Sequence, residues 1–223
     1  MTGAPPPVDL PPARFVTFEG GEGAGKSTQV RLLADRLRNA GIGVVTTREP
    51  GGSPGAEAIR AMILSGAAER FGAEVEAMLF AAARADHVDA TIRPALARGD
   101  WVLCDRFADS TRVYQSAVEP AVIDALETVA LDGLRPHLTI LLDLPAEVGL
   151  QRAAARRGVD AADRFEKEDA AAHEARRDAF LRLARADPSR FAVVDATQDT
   201  ATVADAVWYA IATRLGQGAG RAG

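Results

Sequence analysis

Hydrophobic and polar positions along the chain fall into two alternating patterns. Short, nearly unbroken apolar or β-branched runs stand at residues 14–19, 43–47, 101–105, 138–143 and 191–195. A run such as Leu138-Thr139-Ile140-Leu141-Leu142 suits a strand covered on both faces. Between the runs, apolar residues recur at helical spacing, as with Val30, Leu32, Leu33 and Leu37. Strands alternating with helices predict an α/β fold: a five-stranded parallel sheet with helices on both faces and ligands at the strands' C-terminal ends. The opening segment, 1–13, holds Pro5-Pro6-Pro7 and Pro11-Pro12 and reads as an extended tail unable to join a sheet. Residues 216–223 are Gly/Ala-rich and read as a flexible end, which leaves 14–215 as one domain.

Bulk composition narrows the classes. At 223 residues and 48% hydrophobic, the chain can bury a substantial core. A net charge of −5 supplies no overall basic field, so no nucleic-acid partner is expected. The one cysteine, Cys104, rules out an intramolecular disulfide framework and fits a reducing compartment. At the end of an apolar run it reads as a small buried hydrophobe. No apolar run reaches 18 residues and no basic start precedes an apolar stretch. The expectation is a soluble cytoplasmic protein without a membrane partner.

The chemistry starts after the first run. Gly20-Gly21-Glu22-Gly23-Ala24-Gly25-Lys26-Ser27-Thr28 matches G-x-x-x-x-G-K-[ST], placed between the strand Phe15-Val16-Thr17-Phe18 and a helical pattern. That context aims backbone N–H groups and a helix N-terminus at a polyphosphate, a P-loop NTPase arrangement. Lys26 is one of only two lysines, with Lys167, among 26 Lys and Arg residues. A compact ammonium fits between phosphates where a planar guanidinium would not.

Other P-loop classes fit poorly. A GTPase needs an N-K-x-D guanine-reading segment, yet the single asparagine, Asn39, is followed by Ala40. A transport or helicase-like ATPase should end a strand in paired acids, whereas Asp105 is followed by Arg106. An arginine there favours a kinase whose acceptor carries its own phosphate. Asp105 itself occupies a position suited to a ligand of Mg²⁺ or its bound water, a strand-end salt bridge being the plainer alternative. Arg48 closes the second strand in Thr47-Arg48-Glu49-Pro50-Gly51-Gly52, where a solvated loop arginine is the plainer alternative. Arg152, Arg156, Arg157 and Arg164 surround Gly158 before Phe165-Glu166 and read either as an exposed charged helix end or as a short lid over about 152–165. His87, His137 and His173 fit no triad or metal spacing, so surface or packing roles are expected.

Taken together, the P-loop, residues 47–52, Leu79-Phe80-Ala81-Ala82-Ala83-Arg84, Asp105-Arg106-Phe107, Ser110-Thr111-Arg112-Val113-Tyr114-Gln115 and Asp163-Arg164-Phe165-Glu166 resemble the bacterial thymidylate kinase family from about Phe15 to Leu215. The resemblance implies ATP-dependent phosphorylation of dTMP to dTDP, with Mg²⁺ as cofactor, and a homodimer. It implies that Gly20 to Thr28 and Arg152 bind ATP, and that Ser27 holds Mg²⁺ together with Asp105. Catalytic charge would come from Lys26, Asp105, Arg106, Arg156 and Arg164. Arg48 and Arg106 would grip the acceptor phosphate, Phe80 would stack on thymine, and Arg84 would bond its edge. Ser110, Thr111, Tyr114 and Gln115 would line base and deoxyribose, and Glu22 would meet the 3′-hydroxyl. The family places a catalytic arginine either in the P-loop or in the lid; this P-loop has none, so the lid arrangement is implied. Residues Ser116-Ala117-Val118-Glu119-Pro120 depart from the family's Gly-rich, arginine-containing continuation, which bears on acceptor affinity. Another deoxynucleotide or nucleoside kinase, or an ATP-binding regulator without transfer, stays open at this point.

Overall fold

The computed structural model describes residues 10–157 and 169–216, the side chains of Arg156 and Arg157 excepted. Its five strands are β1 (Phe15–Glu19), β2 (Val44–Arg48), β3 (Trp101–Asp105), β4 (Leu138–Asp143) and β5 (Phe191–Asp195). They form one sheet in the order β2-β3-β1-β4-β5, with every neighbouring pair parallel. The expected α/β class is therefore found. The edges move slightly: β1 starts one residue later than the apolar run, and β2 extends to Arg48.

Parallel neighbours need crossovers, and each crossover carries helix. Helix α1 (Lys26–Asn39) joins β1 to β2. Between β2 and β3 lie α2 (Pro54–Leu64), α3 (Ala73–His87) and α4 (Arg93–Ala97); α5 (Ala108–Tyr114) and α6 (Pro120–Leu131) lead to β4. Helices α7 (Ala146–Arg157) and α8 (Ala170–Ala186) precede β5, and α9 (Thr200–Leu215) follows it.

Alternation along the strands divides the core into two layers. Val16, Phe18, Leu103, Ile140 and Leu142 pack against Val30, Leu33 and Leu37 of α1 and Val203, Val207 and Ile211 of α9. On the other face Phe15, Val102 and Cys104 meet Ile92, Ala95, Phe107 and Ala108. Leu141 and Phe191 meet Phe180 and Ala184 of α8. Burying each large side chain contributes about 1.5–3 kcal/mol. Cys104 is fully buried, as expected, and its Sγ donates to the Arg106 carbonyl at 3.0 Å. Polar strand atoms are paired rather than abandoned: Thr17 and Thr139 share a hydroxyl–hydroxyl bond of 2.9 Å in the sheet interior.

Strand order turns back at β1, which lies between β3 and β4. That reversal opens a crevice at the strands' C-terminal ends. The loop after β1 is held there by contact of backbone against backbone. Gly23 takes φ +68°, and a Cβ on it would overlap the Gly149 carbonyl in α7. A Cβ on Gly149 would likewise overlap the Glu22 carbonyl.

Gly149→Ala should therefore destabilise the fold by about 1–3 kcal/mol, because one backbone must move off the other. Urea unfolding reads this directly; an unchanged midpoint would mean that α7 and the loop separate without cost.

Candidate active site

The loop after β1 turns into α1 through Gly25, an N-cap in the left-handed region at φ 92°, and no acidic residue occupies the helix's first turn. The helix N-terminus is thereby kept free of internal anions, which suits a phosphate. Lys26 is buried, and its Nζ donates to the carbonyls of Gly20 (3.1 Å) and Gly21 (2.8 Å). Burial lowers its pKa, with the Arg106 charge adding to the effect. At the loop's mouth the Ser27 hydroxyl donates to Asp105 Oδ2 at 2.5 Å. A hydroxyl and a carboxylate side by side suit Mg²⁺, which takes a few protein oxygens and completes its shell with phosphate and water. Among the described residues no cluster of three or more His, Cys, Asp or Glu could hold a metal.

Arg106 sits just past β3 in the left-handed region at φ 67°. Such a conformation costs on the order of 1 kcal/mol or more in a non-glycine residue. Three anchors hold it. Its own N–H donates to the Phe18 carbonyl (2.9 Å), the Phe107 N–H donates to Glu19 Oε1 (2.8 Å), and the Ser110 hydroxyl donates to Glu19 Oε2 (2.6 Å). The guanidinium then lies over the Tyr114 ring, 5.0 Å from its centroid, donating to the Gly20 carbonyl and to Glu22. Tyr114 also donates to Glu22, at 3.3 Å.

The electrostatics follow from this packing. Burial opposes ionisation of Glu22, but the charges of Arg106 and Lys26 outweigh it and hold the carboxyl down at about 2. Burial would also discharge Arg106, yet the Tyr114 ring beneath it and the carboxylates of Glu22 and Asp105 keep it firmly protonated. Tyr114 is pushed up to about 12 by burial. Glu19, wholly buried, is raised by desolvation and then by Asp109.

At the far end, α3 presents Phe80 and Arg84. Arg84 is 3% exposed; its Nε donates to Glu49 Oε2 (2.8 Å) and its Nη2 to Thr111 Oγ1 (2.9 Å). Behind it Glu49 Oε1 meets His87 Nδ1 (3.0 Å), and His87 Nε2 meets Thr47 Oγ1 (2.7 Å). Arg48 is exposed at the rim and donates to Glu57 at 3.0 and 3.2 Å.

These residues line one cleft of ≈ 280 Å³. Of the residues expected from sequence, it gathers Glu22, Gly23, Gly25, Lys26, Ser27, Arg48, Phe80, Arg84, Asp105, Arg106, Ser110, Thr111, Tyr114 and Gln115. Gly20 and Gly21 stand behind it as acceptors for Lys26, Ala24 is buried, and Thr28 is exposed on α1. Arg152 is not in this lining and donates to the carbonyls of Ala196 (2.7 Å) and Thr197 (3.1 Å) after β5. The Arg156 side chain and Arg164 lie outside the described residues.

Sequence reasoning missed Glu19 and Glu49, Glu76, which accepts from the Gln115 amide at 2.7 Å, and Arg60, which lines the cleft and donates to the Pro50 carbonyl at 2.6 Å. Glu19 had a readable signal, an acid ending an otherwise apolar strand, and Glu49 lies inside the 47–52 motif. Glu76 and Arg60 are polar positions on helices, with no pattern to single them out. His87 and His173 are buried in packing roles, whereas His137 is exposed at the surface, its Nδ1 accepting from the Phe15 N–H at 3.0 Å. In the departing segment, Val118 packs on Ala77 and Ile123 beside the cleft wall.

Residues 18–207 match the family model described as Thymidylate kinase. A protein named Thymidylate kinase from Nitrobacter winogradskyi is 57% identical over 217 residues, covering 96% of this chain and 94% of the relative. One of the same name from Nitrobacter hamburgensis is 56% identical over 218 residues, covering 96% and 95%. Another from Bradyrhizobium sp. (strain ORS 278) is 57% identical over 205 residues, covering 91% of each chain.

Glu19 generates a pH prediction. Its carboxyl is raised from 4.5 to about 8, so the folded protein keeps a proton that the unfolded chain releases between those values. Stability from this group is fully present below the unfolded pKa and is lost as pH rises through the folded one. The difference in Tm between the unmodified protein and Glu19→Gln should therefore shrink from pH 5 to pH 9. A difference flat across that range would show that Glu19 stays ionised.

Proposed function

The chain belongs to the thymidylate kinase family, and from that premise we propose how its cleft performs the ATP-dependent phosphorylation of dTMP to dTDP that feeds dTTP synthesis. One observation carries the reading. A single cleft runs from the P-loop to the buried donors at Arg84, with the Arg106 guanidinium between them.

An acceptor monophosphate has a second pKa near 6, so it is already a nucleophile at neutral pH and needs no general base. The obstacle is repulsion between two anionic phosphates brought into line. The loop amides and Lys26 hold the donor phosphates. Ser27, with Asp105, would hold Mg²⁺, whose chemistry is to neutralise charge on the donor phosphates. Arg106 exchanges its internal carboxylate, Glu22, for the acceptor phosphate, and Arg48 closes on the same group from the rim. Glu22, released, accepts from the sugar 3′-hydroxyl. Phe80 stacks on the base, Arg84 donates to its edge, and Ser110 and Thr111 line the pocket. Tyr114 fills the space that a ribose 2′-hydroxyl would need. Because the P-loop contains no arginine, Arg156 and Arg164 are the proposed source of charge on the transferred phosphoryl group, and Arg152 borders the donor nucleotide.

We also infer a homodimer. Phe71, Val75 and Met78 leave an exposed apolar face on and beside α3, which a second copy would cover. No helix among the described residues is long and apolar enough to cross a membrane, and we place the enzyme in the cytoplasm.

A coupled assay with ATP and a panel of nucleoside monophosphates should give fastest turnover with dTMP. Lys26→Ala should lower kcat by about 10²–10³, the usual loss when one preorganised charge is removed from a transition state. Arg164→Ala should cost about 10³ or more if it acts as an arginine finger. Preference for another base, or transfer surviving Lys26→Ala, would refute the mechanism.

A further inference from the structure

Gln115 caps α5 in the cleft wall, 4% exposed, and its side-chain amide carries an ambiguity that the rest of the pocket lacks. One end of an amide donates and the other accepts, so turning it over reverses what it reads. Its Nε2 donates to Glu76 Oε1 at 2.7 Å. The Glu76 oxygen accepts this bond, so the NH₂ end faces Glu76. The carbonyl oxygen is then the end left for a ligand. Glu76 is itself 7% exposed, in the first turn of α3, and is absent from the cleft lining.

Arg84 supplies the complement. Glu49 and Thr111 take up its Nε and Nη2, which leaves Nη1 as the remaining donor in the cleft wall. The wall thus carries one donor and one acceptor of defined sense. A thymine edge offers O4 as acceptor and N3–H as donor, matching both. A cytosine edge offers an N4 amino donor and N3 as acceptor, opposing both.

Resting on the reading of the cleft as a dTMP site, we propose that Glu76, outside the cleft, is a specificity-determining positioning residue. It holds the Gln115 amide with its oxygen toward the base and so makes the pocket read thymine rather than cytosine. With the amide turned over, the wall would hold two donors. Thymine would lose one match and cytosine would gain one.

The test measures kcat and KM for dTMP and dCMP with ATP, on the unmodified protein and two variants. Glu76→Gln keeps the shape but offers position 115 either an oxygen or a nitrogen, so the amide is free to turn. It should lower kcat/KM for dTMP about tenfold, mainly through KM, and narrow the dTMP-to-dCMP ratio by at least that factor. The double variant Glu76→Gln/Gln115→Glu exchanges the two groups. Its carboxylate at 115 accepts from the new amide and turns its second oxygen to the cleft, so the ratio should return close to the unmodified value. Thermal melting confirms that each variant is folded. A ratio unchanged in Glu76→Gln, with both monophosphates equally affected, overturns the proposal, as does a folded double variant that fails to restore it. An unmodified protein that turns over no dTMP overturns the functional reading and this inference together; normal dTMP turnover with an unmoved ratio overturns this inference alone.

Discussion

A buried acid, Glu19, ties the end of β1 to the turn after β3, and the cleft is assembled around that tie. Glu19 accepts the Phe107 N–H and the Ser110 hydroxyl, and between those anchors the chain bends through Arg106 in a left-handed conformation. The bend turns the guanidinium toward the P-loop instead of letting it run on with the strand. It also leaves Asp105 facing Ser27, so that pair and the Arg106 guanidinium depend on one local geometry. Strain at Arg106 and burial of Glu19 both cost stability. The hydrogen bonds that Glu19 accepts offset that cost only while the whole turn is in place, which is how an over-determined site stores an unfavourable conformation.

Charge in the cleft is organised locally. The chain is acidic overall, at −5, yet it gathers Lys26, Arg48, Arg84 and Arg106 in one cleft. The arginines are each matched by an internal carboxylate: Glu22 for Arg106, Glu49 for Arg84, Glu57 for Arg48. A buried cation without such a partner would be expensive. The partners differ in what a ligand must do to them. Glu22 and Glu57 hold arginines whose proposed ligand is a phosphate, so those pairs are exchangeable. Glu49 is itself held by His87 behind it, and keeps Arg84 as a fixed donor. A fixed donor and exchangeable ones thus arise from the same kind of ion pair, placed differently in the wall.

Local signals carried much of this. The apolar runs located all five strands to within a residue because strands covered on both faces leave little room for polar side chains. The P-loop was legible because its glycines answer backbone needs: Gly25 caps α1 with positive φ, and Gly23 leaves no room for a side chain against α7. Arg48 and Arg106 were readable as strand-end residues, since a parallel sheet places all its strand ends on one edge.

What the amino-acid order determined by itself was the class of fold, the phosphate loop and the row of strand-end cations, all of which follow from residues close together in the chain. Only the tertiary structure decided which acid meets which base. Glu76 reaches Gln115 across 39 positions, Glu19 reaches Ser110 across 91, and Arg152 reaches the Ala196 carbonyl across 44. Such pairings depend on how helices seat against the sheet, and a charged residue on an amphipathic helix looks the same in sequence whether it faces solvent or orients a neighbour in the cleft wall.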